Sequence, residues 1–220
     1  MTHRQARHVP ALTAVTAAAL LLLTGCGGGD ETSEANDKIA GADTDPNPSP
    51  SPATSAPTDT SRPEITLPSD LKVAFEGGRT GDPVKDAVLA DSAERMRAVD
   101  AAITGTDPKG EAIGYYNTGK ALEAALSWVA QFKDAGATIT GEVRYYDREV
   151  TLEGQNSATL TFCADEGKGF SKDKKTGEVA RTPVTKNSYV LYNTSLDKNA
   201  DGVWQTSQIV SVRGAAQCQP

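Results

Sequence analysis

The stretch Ser157-Ala-Thr-Leu-Thr-Phe-Cys163 decides the fold class of this chain. Ala158, Leu160 and Phe162 alternate with Thr159, Thr161 and Cys163, the period-two pattern of an antiparallel strand with one buried face. Similar runs flank it: Thr138–Tyr146 and Glu149–Leu152 before, Ser188–Leu196 and Val203–Val212 after. Glu153-Gly-Gln-Asn156 and Asn199-Ala-Asp-Gly202 read as hairpin turns, the second carrying the Asp-Gly signal. The lysine-rich segment Lys168–Arg181 reads as a long loop between strands.

Upstream of Gly136 the period is helical. Asp82-Pro83 supplies an N-cap acceptor followed by proline at the first helical position. Val84, Ala87, Val88, Met96, Val99 and Ile103 then recur at helical spacing, and Gly105 can end the helix. A second helix runs from about Gly119 to Ala135, with Leu122, Ala125, Leu126, Val129 and Phe132 as its apolar stripe. Both stripes read as core. Helices first and strands afterwards predict an α+β fold, with N-terminal helices packed on one face of a curved antiparallel sheet. Gly77-Gly-Arg-Thr-Gly81 lacks the Gly-Lys-Ser/Thr ending of a phosphate loop and reads as a turn before the Asp82 helix.

The N-terminal end has a different character. Arg4 and Arg7 precede an apolar run from Ala11 to Leu23, which closes on Leu23-Thr-Gly-Cys26. The run has signal-peptide length, and its ending reads as a lipobox, where Cys26 receives a diacylglyceryl group and the chain is cleaved just before it. Residues 1–25 are thus expected to be a lipoprotein signal peptide. Two acyl chains give stable membrane anchoring where one does not. From residue 26 to 64 the chain is rich in Gly, Asp, Pro, Ser and Thr, and Asp45-Pro-Asn-Pro-Ser-Pro-Ser-Pro52 fits neither a helix nor a central strand. This segment reads as a disordered acidic tether, carrying eight acids against Lys38 and Arg62. At a polyproline rise of about 3.1 Å per residue it would reach on the order of 100 Å at full stretch. Residues 65–220 have the composition and length of one domain.

Composition excludes several chemistries. His3 and His8 are the only histidines, and both fall in the expected signal peptide. The mature chain would have none, which removes Ser-His-Asp and Cys-His catalysis, histidine-ligated zinc and the usual neutral-pH proton shuttle. Losing Arg4 and Arg7 takes the net charge from −7 to −9. An acidic chain with scattered lysines lacks the basic patch that nucleic acid requires. With Cys26 lipidated, Cys163 and Cys218 remain, either as one disulfide in an oxidising exterior or as two free thiols. A bridge would close a loop worth about 4 kcal/mol in the chain-entropy model. No cofactor is expected.

A set of motifs runs through the domain: Thr80-Gly-Asp-Pro83, Arg144-Tyr-Tyr146, Thr161-Phe-Cys-Ala-Asp-Glu166, Lys175-Thr-Gly177, Ser188-Tyr-Val-Leu-Tyr-Asn193, Gly202-Val-Trp204 and Arg213-Gly-Ala-Ala-Gln-Cys218. Together they resemble the uncharacterised secreted lipoproteins of actinobacteria over nearly all of residues 70–218. The helix-then-sheet order is similar to the cone-shaped nuclear transport factor 2-like, or SnoaL-like, fold. That resemblance implies location and fold. It implies no activity, because the superfamily holds isomerases, dehydratases, cyclases and noncatalytic binding modules alike. The histidine that cyclase members often use is absent here.

Three constellations carry possible chemistry. Asp197-Lys-Asn199-Ala-Asp201-Gly202 matches the first half of a calcium loop, but its twelfth position is Gln208, and a hairpin turn explains the same residues. Asp165 and Glu166 follow Cys163 at the expected end of a strand, where they read as a solvated turn. Tyr145, Tyr146, Tyr189 and Tyr192 place tyrosines on both faces of two strands. Tyr145, Asp165 and Tyr189 form the candidate pocket. The functional expectation is a protein anchored by lipid to the outer face of a bacterial cytoplasmic membrane. Its domain would be noncatalytic, binding an envelope protein or an apolar small molecule. The alternative is a histidine-independent isomerase, dehydratase or hydrolase that uses a carboxylate and a tyrosine.

Overall fold

The structure is a computed structural model and describes residues 62–220. The expected signal peptide, Cys26 and the tether up to residue 61 lie outside the described residues. Chain order is β1 (Leu71–Phe75), α1 (Pro83–Thr104), α2 (Glu111–Tyr116), α3 (Gly119–Asp134), β2 (Ala137–Leu152), β3 (Ser157–Asp173), β4 (Val179–Ala180), β5 (Tyr189–Lys198) and β6 (Trp204–Arg213). Asp82 caps α1 as its sequence predicts, its Oδ1 accepting from the N–H groups of Val84 and Lys85 at 2.8 and 3.2 Å. Gly105 closes the helix in the left-handed conformation.

The sheet order is β1-β2-β3-β5-β6, with β4 beside one end of β3. Every pairing is antiparallel except β1 with β2, which is parallel, so the sheet is mixed rather than wholly antiparallel. Besides β4, which falls inside the expected Lys168–Arg181 loop, β1 and α2 escaped the sequence reading. β1 has only five residues, and α2 is a turn and a half whose opening N–H groups are held by the Asp107 carboxylate at 3.0–3.3 Å.

The expected Lys168–Arg181 loop is a correction. β3 continues through Lys168 and Phe170 to Asp173. A turn follows, with Asp173 accepting from the Lys175 and Thr176 N–H groups at 2.9 and 2.7 Å, and β4 pairs back onto Ser171 and Lys172. Lysines on an exposed strand end and Gly167 and Gly169 within it had masked the alternation. Thr138–Tyr146 and Glu149–Leu152 are likewise one strand, interrupted by a bulge at Asp147, which takes φ 48°.

Bulges also change which residues face the helices, because an inserted residue inverts the side-chain parity of everything beyond it. On β2, Tyr145 is buried before the irregularity and Val150 after it. On β6, Trp204 and Thr206 face inward, then a register shift opposite Ser195/Leu196 hands the inner face to Ile209, Ser211 and Arg213. β3 keeps one parity from Ala158 through Leu160, Phe162 and Ala164 to Glu166.

α1 packs Val88, Leu89 and Met96 on this inner face against Leu160, Phe162, Val190 and Trp204. Ala98, Val99 and Ile103 meet α2 and α3 through Ile113, Tyr116 and Ala125. α3 buries only Ala121 and Ala125, leaving Leu126 and Trp128 about half exposed, so its stripe is a partial core contact rather than the full one expected. On the opposite sheet face, a Cys163–Cys218 disulfide sits among Tyr146, Tyr189, Leu191 and Ala215.

Candidate functional site

Between α1, α3 and the inner sheet face lies a half-open cavity of about 540 Å³. That lies within the roughly 300–1,000 Å³ of small-molecule sites. Met96, Val99 and Ile103 of α1, Trp128 and Phe132 of α3, and Ile139 and Val143 of β2 make its walls apolar. Polar side chains reach it as well, among them Arg95 and Asp100 of α1, Tyr145 of β2, Glu166 of β3, Tyr192 of β5 and Arg213 of β6.

Arg95 stands one turn before Val99, and Asp100 one turn after Met96, so both fall on the inward stripe of α1. Arg95 is 6% exposed. Its Nε donates to Asn117 Oδ1 at 2.8 Å, and its Nη1 lies 3.0 Å from Met96 Sδ. Asn117 is held in turn by donating to the Ile113 carbonyl at 2.9 Å. Burial lowers the Arg95 pKa from its ordinary value, while the tyrosines and Asp100 act the other way. Among the described residues, no carboxylate forms an ion pair with it.

The Asp100 carboxyl is pushed up to about 7, first by burial and further by the negative charge of Glu166, against the pull of Arg95. Tyr145 stacks on Phe75 at 4.9 Å and meets Phe162 edge-on at 5.8 Å. Burial raises its pKa well above the ordinary value, so its hydroxyl stays protonated. Tyr192 stacks on the other side of Phe162 and donates to Glu166 Oε1 at 3.3 Å. Its pKa too is raised, chiefly by burial. Arg213 closes this corner, its Nη1 2.7 Å from Glu166 Oε2 and 2.8 Å from the Asn187 carbonyl. The chamber thus offers a buried cation with no carboxylate in contact among the described residues, a carboxyl that exchanges its proton near neutrality, and tyrosine hydroxyls beside apolar side chains.

Of the pocket expected from sequence, only Tyr145 belongs to the cavity. Asp165 is a correction: it lies within β3 rather than at a turn, and parity turns it to the outer face. There it faces Arg144 Nη2 at 3.6 Å and accepts from the Gly167 N–H at 2.9 Å. Tyr189 also points outward, packing at the disulfide, where the Tyr146 hydroxyl donates to the Cys218 carbonyl. Glu166, one residue on from Asp165, is the β3 carboxylate that lines the cavity.

Asp197, Asn199 and Asp201 lie at the β5–β6 hairpin. The Asn199 Oδ1 accepts from the Asp201 and Val203 N–H groups at 3.0 and 2.9 Å, and Asp197 accepts from the Ser157 hydroxyl at 3.1 Å. Among the described residues, no group of three or more acids, cysteines or histidines is placed to hold a metal ion. Arg95 and Asp100 stand outside every constellation read from sequence, and Glu166 enters one only beside Asp165, as part of a solvated turn. The signal available for the first two was a pair of charges on the apolar stripe of α1.

The chain is similar to a ketosteroid isomerase-like protein from Erwinia carotovora atroseptica, at 19% identity over 61% of this chain and 98% of that one, with a TM-score of 0.39. It is similar to Aln2 from a Streptomyces species, at 15% identity over 61% and 94% of the two chains, with a TM-score of 0.40. A third likeness is to the intermembrane space region of the chloroplast protein ARC6, at 9% identity over 61% and 98%, with a TM-score of 0.39. No protein-family model matches this chain, and no curated protein matches it. Likeness at this level assigns no activity, ligand or partner.

Proposed function

We propose that the domain binds an apolar small molecule with a polar head, and that lipid on Cys26 and the acidic tether hold it outside a bacterial cytoplasmic membrane. The observation that carries the binding role is the cavity of about 540 Å³, where the apolar side chains of Met96, Val99, Ile103 and Phe132 share the lining with the polar groups of Arg95, Asp100 and Tyr145. The anchor rests on the lipobox, and the disulfide suits the same oxidising side of a membrane. This reading also keeps the resemblance to secreted actinobacterial lipoproteins with a nuclear transport factor 2-like cone.

Two experiments test it. The neutral fluorophore N-phenyl-1-naphthylamine should brighten on binding and be displaced by decanol. Ser211→Phe, which intrudes on the chamber from an exposed edge-strand position, should weaken it about tenfold. A probe that ignores the domain, or that binds Ser211→Phe unchanged, removes the cavity as the site. Cys26→Ala should accumulate as an unlipidated, uncleaved precursor in the native host, seen by mass spectrometry. A mature, lipid-bearing product from that variant would refute the anchor.

One observation favours a second reading, proton-transfer catalysis without histidine. A carboxyl with a pKa of about 7 beside a protonated tyrosine hydroxyl has the acid–base pair that such chemistry needs. In that reading the base is Asp100 rather than Asp165.

A further inference from the structure

The shape and apolar walls of the chamber set the body of the ligand, but its head is set by Arg95. The guanidinium is more than nine-tenths buried, and only neutral atoms, Asn117 Oδ1 and Met96 Sδ, touch it through Nε and Nη1. Its Nη2 has no hydrogen-bond acceptor among the described residues, and the Arg95 side chain lines the cavity. A buried charge with no counter-charge in contact is costly, and the cost is relieved when an anion takes the vacant donors. The other cation at the chamber, Arg213, is already matched by Glu166 at 2.7 Å.

Building on the binding reading above, we infer that the cavity selects an amphiphile whose head is a single carboxylate, seated on the Nη edge of Arg95 with its tail along Met96, Val99, Ile103 and Phe132. One unmatched positive charge suits a monoanion. A doubly charged phosphate would place its excess charge near Asp100 and Glu166. The planar guanidinium edge matches the two oxygens of a carboxylate, which a point charge such as lysine would not.

Every other charged or titratable group facing this place fits the same occupant. Asp100 from α1 can hold its proton and donate it as a hydrogen bond, as can the Tyr145 hydroxyl from β2. Tyr192 from β5, Glu166 from β3 and Arg213 from β6 are occupied with one another. The carboxyl of Asp100 exchanges its proton near pH 7, and an arriving negative charge drives it toward the neutral form. Binding at pH 7 therefore takes up protons.

The test compares heads on one tail: decanoate, decanol and decylamine displacing N-phenyl-1-naphthylamine from the wild-type domain at pH 7. Decanoate should bind about tenfold or more tighter than decanol, and decylamine weakest. Titration calorimetry in two buffers of different ionisation enthalpy should show proton uptake with decanoate and none with decanol. Arg95→Met should abolish the preference of the site for decanoate over decanol. If decanol binds as well as decanoate to the wild type, the carboxylate inference falls while the binding reading stands. A preference that survives Arg95→Met overturns it equally. If the fluorophore itself finds no site, the binding reading fails and takes this inference with it. The wild-type series decides the matter even if Arg95→Met does not fold.

Discussion

Asp100 shows how one side chain on an apolar stripe ties function to stability. Its unfolded carboxyl titrates near 4 and its folded one near 7. Between those pH values the folded chain holds a proton that the unfolded chain has lost. Stability therefore declines as pH rises through this window and levels off above it. Asp100→Asn should be more stable than wild type at pH 8, by on the order of 4 kcal/mol, with the gap closing toward pH 4. Urea unfolding at pH 4, 6 and 8 reads this directly, and a gap that does not change with pH would remove the burial account. The same residue marks the limit of sequence legibility. Tyr145 was readable because aromatic residues on strands announce themselves. Arg95 and Asp100 were not, because a charge on a helix stripe is informative only once the neighbouring wall is known to stand away. Asp165 and Glu166 differ by one residue in phase, and on a strand one residue is the whole difference between inside and outside.

The long strands owe their course to local irregularities more than to their apolar residues. Gly141 takes φ 99°, and a Cβ built there would sit 2.1 Å from the Lys168 carbonyl oxygen across the β2–β3 ladder. Backbone conformation and close approach thus both require glycine, next to the bulge between Glu142 and Arg144 and beside the cavity wall at Thr140 and Val143. Gly141→Ala should cost about 3 kcal/mol, by strain and overlap together. Gly177→Ala is a matched control, since it shares the positive φ but meets nothing within 4 Å. Equal losses in the two variants, measured by denaturant midpoint, would show that backbone conformation alone matters and that the close approach does not. The ends of α1 and the hairpin turns were legible because capping and turn chemistry is local. The full length of β3 was not, since pairing with β2 and β4 makes a strand of residues whose own pattern is lysine and glycine.

Across the whole domain, the disulfide ties the segment after β6 to the middle of the sheet on the side away from the cavity. Reducing it should remove about 4 kcal/mol in the chain-entropy model and lower the melting temperature by roughly 10 °C. Because the bridge and the chamber lie on opposite faces, probe binding by the reduced domain below its melting point should be unchanged. A melting temperature indifferent to reductant would show that the bridge contributes no stability. The α+β class and the helix-to-sheet order were readable from one change of period at Gly136, whereas the hollow was not. No pattern of side chains states how far α3 stands from the sheet. The two ends of the described chain are also fastened by different means. At residue 62 an arginine pairs with buried Asp91, the Thr66 carbonyl takes the Thr106 hydroxyl at 2.6 Å, and β1 holds an outer edge by five parallel pairings. At the other end a covalent bond sits two residues from Pro220. In mechanical terms the domain has a weak side and a strong side. Tension arriving ahead of residue 62 would peel that ion pair, that hydroxyl and β1 in turn, while the same pull at the far end meets a bond that force of this kind does not break.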